Sequence, residues 1–373
     1  MTLQTTPSEQ LLRFLSYLET DPANANLVAD TVRLALQEGQ LDHAEQAFVG
    51  LAGEALPLEL MDLQGQLALA RGEYPAAAAL FQAVIDQVPD NPAVRFNLAW
   101  VRTHLADLDG ADALLTAQVT AQIPQAAALK VQLLHTSGDY DAAIAIATDS
   151  LERHPDHPGL NAIVSVLAMD TEHLELARAS ALMAGPHPDA LTTLGTLALG
   201  RQDVDDARAR FEDVLSVQPR APRALLGRGM AALLSGDYDQ AIRDIDRGAE
   251  IFDRHIGSWV AAGWAHLIAG DLTTARARFE TALALDHNFG ETHGSLGVVA
   301  LAQGRSEDAR QLIRTGGRLD PQSFSVALGS AMINALDGHE DRAQAILETA
   351  LTTPVTPDGE TLLSAIVRLG AKS

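Results

Sequence analysis

Apolar and small residues recur along this chain at steps of three and four, and the pattern restarts about every 34 residues. The clearest copy runs from Ile256 to Phe289. Trp259, Ala262, Gly263 and His266 share one helical stripe, and Ala275, Phe279, Ala282 and Leu283 share a second. Between them lies the break Ala269, Gly270, Asp271, where glycine suits a helix end and aspartate the positive start of the next helix. Gly263 and Ala275 are small where two helices must approach closely, and Phe279 fills the space beside them.

The same frame runs through most of the chain. The small residue of the second helix recurs as Ala44, Ala77, Ala111, Ala143, Ala177, Ala207, Ala241, Ala275, Ala309 and Ala343, at spacings of 33, 34, 32, 34, 30, 34, 34, 34 and 34. Four residues beyond each stands Phe48, Phe81, Leu115, Ala147, Ala181, Phe211, Ile245, Phe279, Ile313 or Leu347. Twelve before, a small residue recurs at Gly65, Ala99, Gly195, Gly229, Gly263, Gly297 and Ala331. This pattern resembles the tetratricopeptide repeat. The resemblance implies an all-α superhelical solenoid of about ten helix-turn-helix units, with capping helices at the N- and C-terminus.

Four segments are expected: a tail and capping helix over 1–24, five less regular repeats over 25–187, five regular repeats over 188–355, and a capping helix over 356–373. The opening helix should start at Pro7 and Ser8 and present Leu11, Leu12, Phe14, Leu15 and Leu18. The fifth repeat lacks the glycine turn, and GPHPDA (Gly185 to Ala190) follows it with two prolines, so a local irregularity is expected there. The final helix should cover 357–369, with Leu362, Leu363, Ile366 and Val367 against the last repeat.

Composition narrows the function. The 373 residues carry a net charge of −23, which disfavours nucleic acid and anionic lipid surfaces. Cysteine is absent, which excludes disulfides and thiolate metal sites. No run of apolar residues is long enough to span a membrane, and the N-terminus does not read as a secretory leader. The expected compartment is the cytoplasm, and the near-exclusive use of arginine over lysine suits a bacterial source.

No catalytic set, cofactor site or metal site is expected. HPDHP (His154 to Pro158) holds two histidines among prolines and reads as an inter-repeat loop. His266 and His293 read as packing residues. Glycines are not spaced as a phosphate loop, and the carboxylates Asp205, Asp206, Asp237 and Asp239 fall at helix starts, where they favour the dipole. Co-chaperones of this family clamp a peptide carboxylate with basic residues and asparagine, but here only Arg95, Asn97 and Arg102 cluster. The position of the asparagine ladder in sugar-transferring relatives carries one asparagine, Asn97.

The resemblance places two positions of each first helix on the concave surface. In this chain they include Phe96, Trp100, Leu226, Met230, Val260, Trp264, Val298, Leu328 and Met332, with Leu267 and Leu301 beside them. Tryptophan and methionine suit an adaptable apolar binding surface. The expectation is therefore a non-enzymatic scaffold or adaptor that binds an apolar or amphipathic segment of a protein, with self-association through the end repeats as a further option. Two alternatives are an escort chaperone for secreted or membrane-bound clients and the regulatory subunit of an enzyme whose catalytic part is a separate chain.

Overall fold

The computed structural model describes residues 6–53 and 55–353. Among them are 22 α-helices and no strand. The chain forms two compact units, Met1–Ala184 and Gly185–Ser373. The expected C-terminal helix lies outside the described residues.

In the first unit, helix Glu9–Thr20 is capped by Ser8, whose Oγ accepts from the Leu11 N–H at 3.1 Å. Leu11 and Leu18 enter the core with Val28, Val32, Ala44 and Leu60, whereas Leu12 is exposed. Five helix pairs follow: Ala25–Gln37 with Leu41–Ala47, Leu58–Ala70 with Tyr74–Gln87, Pro92–His104 with Leu108–Leu114, Pro124–Ser137 with Tyr140–Arg153, and Pro158–Asp170 with Leu174–Ala184. The second helix of repeat three stops early, and a separate helix, Ala117–Gln122, follows. The second helix of repeat five has 11 residues where that of repeat six has 14. About one turn is thus missing, which accounts for most of the short 30-residue spacing.

The second unit holds five pairs with long second helices: Pro188–Gly200 with Val204–Val217, Pro222–Leu234 with Tyr238–Phe252, Ile256–Ile268 with Leu272–Leu285, Gly290–Ala302 with Ser306–Leu319, and Phe324–Leu336 with Glu340–Thr352. Proline opens five consecutive first helices across the two units, at Pro92, Pro124, Pro158, Pro188 and Pro222, where a missing N–H costs nothing.

All ten anchor alanines are buried, nine of them completely. Opposite them the small–large pairing is literal. A Cβ placed on Gly263 would stand 2.4 Å from the Phe279 ring, and one on Gly195 2.8 Å from Phe211. Gly229 and Gly297 meet Ile245 and Ile313 in the same way, each at 2.5 Å. The first unit repeats this at Gly65 and Phe81 but reverses it in repeat four, where Val131 faces the small Ala147. The turn is equally uniform. The residue five before each anchor has positive φ in all ten repeats, and it is glycine in seven. Ala106, Glu172 and Gln202 adopt the same conformation at φ 59°, 61° and 60°. Packing of the helix pair therefore holds a backbone shape that these side chains disfavour.

Candidate partner-binding face

The repeat frame sorts first-helix residues by exposure. Eleven residues before the anchor, the position is open in Arg33, Trp100, Gln132, Thr196 and Met230, and half-buried in Gln66, Val166, Trp264 and Met332. Most open occupants are polar, so Trp100 at 41% and Met230 at 42% exposure stand out. Trp264 meets Phe279 edge-on, with ring centroids 6.0 Å apart, and packs with Leu226 and Leu267 against the core of repeats seven to nine. Val260, Val298 and Leu301 are buried. Leu328 and Met332 are half-buried. Phe96 is half-buried against the core of repeat three.

Repeat nine closes because its first helix is small-sided. Gly294 brings that helix against the next one, so close that a Cβ there would lie 2.6 Å from the Val326 nitrogen. Ser295 and Ser325 hydrogen-bond across the contact at 3.0 Å, and the Ser323 hydroxyl donates to Glu291 at 2.6 Å. Val298 is covered as a result.

An apolar row also appears that the sequence reading did not single out. Seven residues before the anchor, Leu234, Ile268 and Leu336 are 43%, 53% and 67% exposed. They follow Met230, Trp264 and Met332 by four residues, so the first helices of repeats seven, eight and ten each carry an apolar pair on one face, which repeats six (Thr196, Gly200) and nine (Val298, Ala302) lack. The signal was the i, i+4 spacing. It was hidden because Leu267 and Leu301, one position earlier, are equally apolar but turn towards the core. The corresponding residues in the first unit are Gln37, Ala70, His104, Thr136 and Asp170.

The first unit bears a different feature. Along Pro92–His104, Phe96, Trp100 and His104 follow one another at centroid separations of 6.4 and 5.2 Å. His104 then stacks on Tyr74 of the preceding repeat at 4.6 Å and 28°. The His104 Nδ1 lies 2.9 Å from the Trp100 carbonyl, so this nitrogen carries the proton and donates to it.

The remaining polar candidates serve the fold. Arg95 donates to the Pro89 carbonyl, and Arg102 bridges Gln82 and the Gly110 carbonyl. His157 caps the first helix of repeat five through Nδ1, and His154 reaches the Ala121 carbonyl. His266 is buried with Nε2 3.0 Å from Asp246, which also holds Arg278 through two bonds of 2.9 and 3.0 Å. His293 contacts the His287 carbonyl at 2.8 Å. Asp237 caps its helix at Gln240, and Asp206 pairs with Arg210. The asparagine-ladder position is a packing position: Gly227 lies under Phe211 and Gly329 under Ile313. Among the described residues, no three histidine or carboxylate side chains are grouped as for a metal ion, and no helix is long and apolar enough to cross a membrane.

Models of the tetratricopeptide repeat match residues 68–133, 192–255 and 266–333. A curated protein, the heat-shock protein cognate (HSC) co-chaperone sgt12 of Aspergillus fumigatus, is 23% identical over 141 residues. The match covers 38% of this chain and 39% of that protein, so this chain spans about two fifths of the length of the curated relative it matches. Among solved structures, a tetratricopeptide repeat protein from Parabacteroides merdae aligns with 16% identity and a TM-score of 0.42, covering 79% of this chain and 98% of that one. A chain of the APC/C hetero-tetramer Cut9–Hcn1 aligns with 14% identity and a TM-score of 0.44, covering 92% and 81%.

Proposed function

This chain belongs to the tetratricopeptide repeat family, and from that premise we propose that it is a non-enzymatic cytoplasmic scaffold that binds an apolar or amphipathic segment of a partner protein on the first-helix face of its second unit. One observation carries the reading. Met230, Leu234, Ile268 and Leu336 stand 42–67% exposed at two fixed register positions of repeats seven, eight and ten. The matching positions of the first unit are mainly polar, so the packing of a repeat does not require apolar residues there. Repeated exposure of large apolar side chains stabilises nothing in the free chain and favours a covered state.

The physical means is preorganisation. The first helices of repeats seven, eight and ten are fixed by their buried sides, so their open sides present Met230 with Leu234, Trp264 with Ile268 and Met332 with Leu336 without further ordering. Trp264 is the anchor: Phe279 holds its edge, and a large rigid ring contributes disproportionately to such contacts. Leu226 and Leu328 extend the surface, and the buried Val260, Val298 and Leu301 support it from below.

The test is affinity for a purified native partner, with melting measured in parallel. Met230→Ser, Ile268→Ser and Leu336→Ser together should weaken binding at least tenfold and leave the melting temperature within a few degrees, because the side chains are exposed. Trp264→Ala should cost roughly 2 kcal/mol of binding. Unchanged affinity in the folded triple variant would remove this face from consideration. Capture of many unfolded clients in place of one partner would favour the escort-chaperone reading.

A further inference from the structure

We propose that the aromatic run Phe96–Trp100–His104–Tyr74 of the first unit is a second, independent docking site, and that it takes an arginine-bearing segment of a partner protein. The run is assembled from two repeats, since Tyr74 opens the second helix of repeat two and the other three rings lie on the first helix of repeat three. Aromatic residues make up only 4% of the chain, yet three of them meet a histidine here in one continuous series of ring contacts. Of the other two tryptophans, Trp259 is buried and Trp264 half-buried. Trp100 is 41% exposed, and its neighbours Phe96 and His104 leave part of the indole open.

Charge decides the occupant. The turn edges at the Tyr74 and His104 end carry Glu73, Asp107 and Asp109, all exposed. Glu73 directly precedes Tyr74, and Asp107 caps the helix after His104 through the Gly110 N–H at 3.0 Å. The helix has two arginines: Arg95 lies at its far end and donates to the Pro89 carbonyl at 2.6 Å, and Arg102 lies 3.7 Å from Asp107 and is committed to Gln82 and the Gly110 carbonyl. Ring faces beside carboxylates suit a planar cation. Guanidinium stacks on indole and pairs with carboxylate through one rigid group, whereas an ammonium is more strongly hydrated and does not stack.

The whole chain at −23 attracts any cation, so attraction alone proves nothing. The experiment therefore compares three probes of equal length: glycine-arginine, glycine-lysine and glycine-citrulline repeat peptides. Each is titrated into the full chain carrying 5-fluorotryptophan, in which Trp100, Trp259 and Trp264 report separately by fluorine resonance. The arginine peptide should shift the Trp100 signal and leave the other two in place. It should bind about two- to fivefold more tightly per engaged arginine than the lysine peptide. Trp100→Leu, which keeps an apolar side chain but removes the π face, should abolish that preference without changing the melting temperature. Equal binding of arginine and lysine peptides, equal binding of citrulline, a shift centred on Trp264, or an unchanged preference in Trp100→Leu would each overturn the proposal. Apart from a shift at Trp264, which would place the cation on the other face, these outcomes do not bear on the ridge at Met230 and Ile268, which the second unit presents by itself.

Discussion

The two units solve the same packing problem in different ways. In the second unit the helix pair is fitted by one rule over four repeats: glycine on the first helix, phenylalanine or isoleucine on the second. In the first unit the rule holds at Gly65 and Phe81, softens at Ala99 and Leu115, and inverts at Val131 and Ala147. Over repeats two to four what is nearly constant is the volume shared by two facing positions, not either residue, whereas repeat five departs from it with Ser165 and Ala181 both small. Interiors packed at crystal density respond to the sum. The uniform unit has second helices of 13 to 15 residues, and the varied unit has second helices as short as seven.

The strongest way to break the comparison is to empty one pair. Phe279→Ala should cost roughly 3–5 kcal/mol, because the ring is fully buried and its cavity cannot close. Adding Gly263→Val rebuilds the pairing of repeat four and should recover part of the loss. Denaturant unfolding of both single variants and the double then measures the coupling, and strict additivity would show that these positions do not share a volume. Gly263→Leu alone comes next, at about 1–3 kcal/mol, since its Cβ already meets the Phe279 ring.

Smaller changes sharpen the contrast at the turns. Glu172→Gly should stabilise the chain by about 1 kcal/mol and Gly270→Ala destabilise it by a similar amount, because both residues hold positive φ. Thermal melts that move in the same direction would refute the equivalence of the two turns.

The smallest effects depend on pH and have opposite signs. Thr274 hydrogen-bonds the Asp271 carboxylate and lowers its pKa. Its contribution is present above the unfolded carboxylate pKa and is lost as pH falls through the lower folded value. Burial raises the pKa of Asp62, with Gln66 opposing. Its contribution is full below the unfolded pKa and is lost as pH rises through the folded value. Asp62→Asn should therefore raise the melting temperature at neutral pH and not in acid. Asp271→Asn, which keeps a capping oxygen, should flatten the acid loss. Parallel pH–melting curves for the parent and both variants would contradict these assignments.

The repeat frame was legible because a helix crossing admits only a small residue, and Ala44 to Ala343 mark ten such crossings without exception. The binding face was legible only in part. Whether Val298 is open depends on how closely the next first helix approaches, which Gly294 and Ser325 decide from two different repeats. Leu234, Ile268 and Leu336 escaped notice because an apolar residue at a helix end reads equally well as core. The contact of Tyr74 with His104 joins residues 30 positions apart, a distance that no local periodicity reports. The early stop after Leu114 follows from a backbone turn at Leu115, ψ 63°, which no glycine or proline announces.

The junction of repeats nine and ten has a mechanical consequence. Its first helices are pinned by Gly294, by the Ser295–Ser325 bond and by Glu291 on Ser323, whereas the first helices of repeats eight and nine touch only lightly. Treated as a spring, the second unit is stiff at that end and compliant before it. Under tension the junction of repeats eight and nine should open before that of repeats nine and ten, which should turn together as one lever.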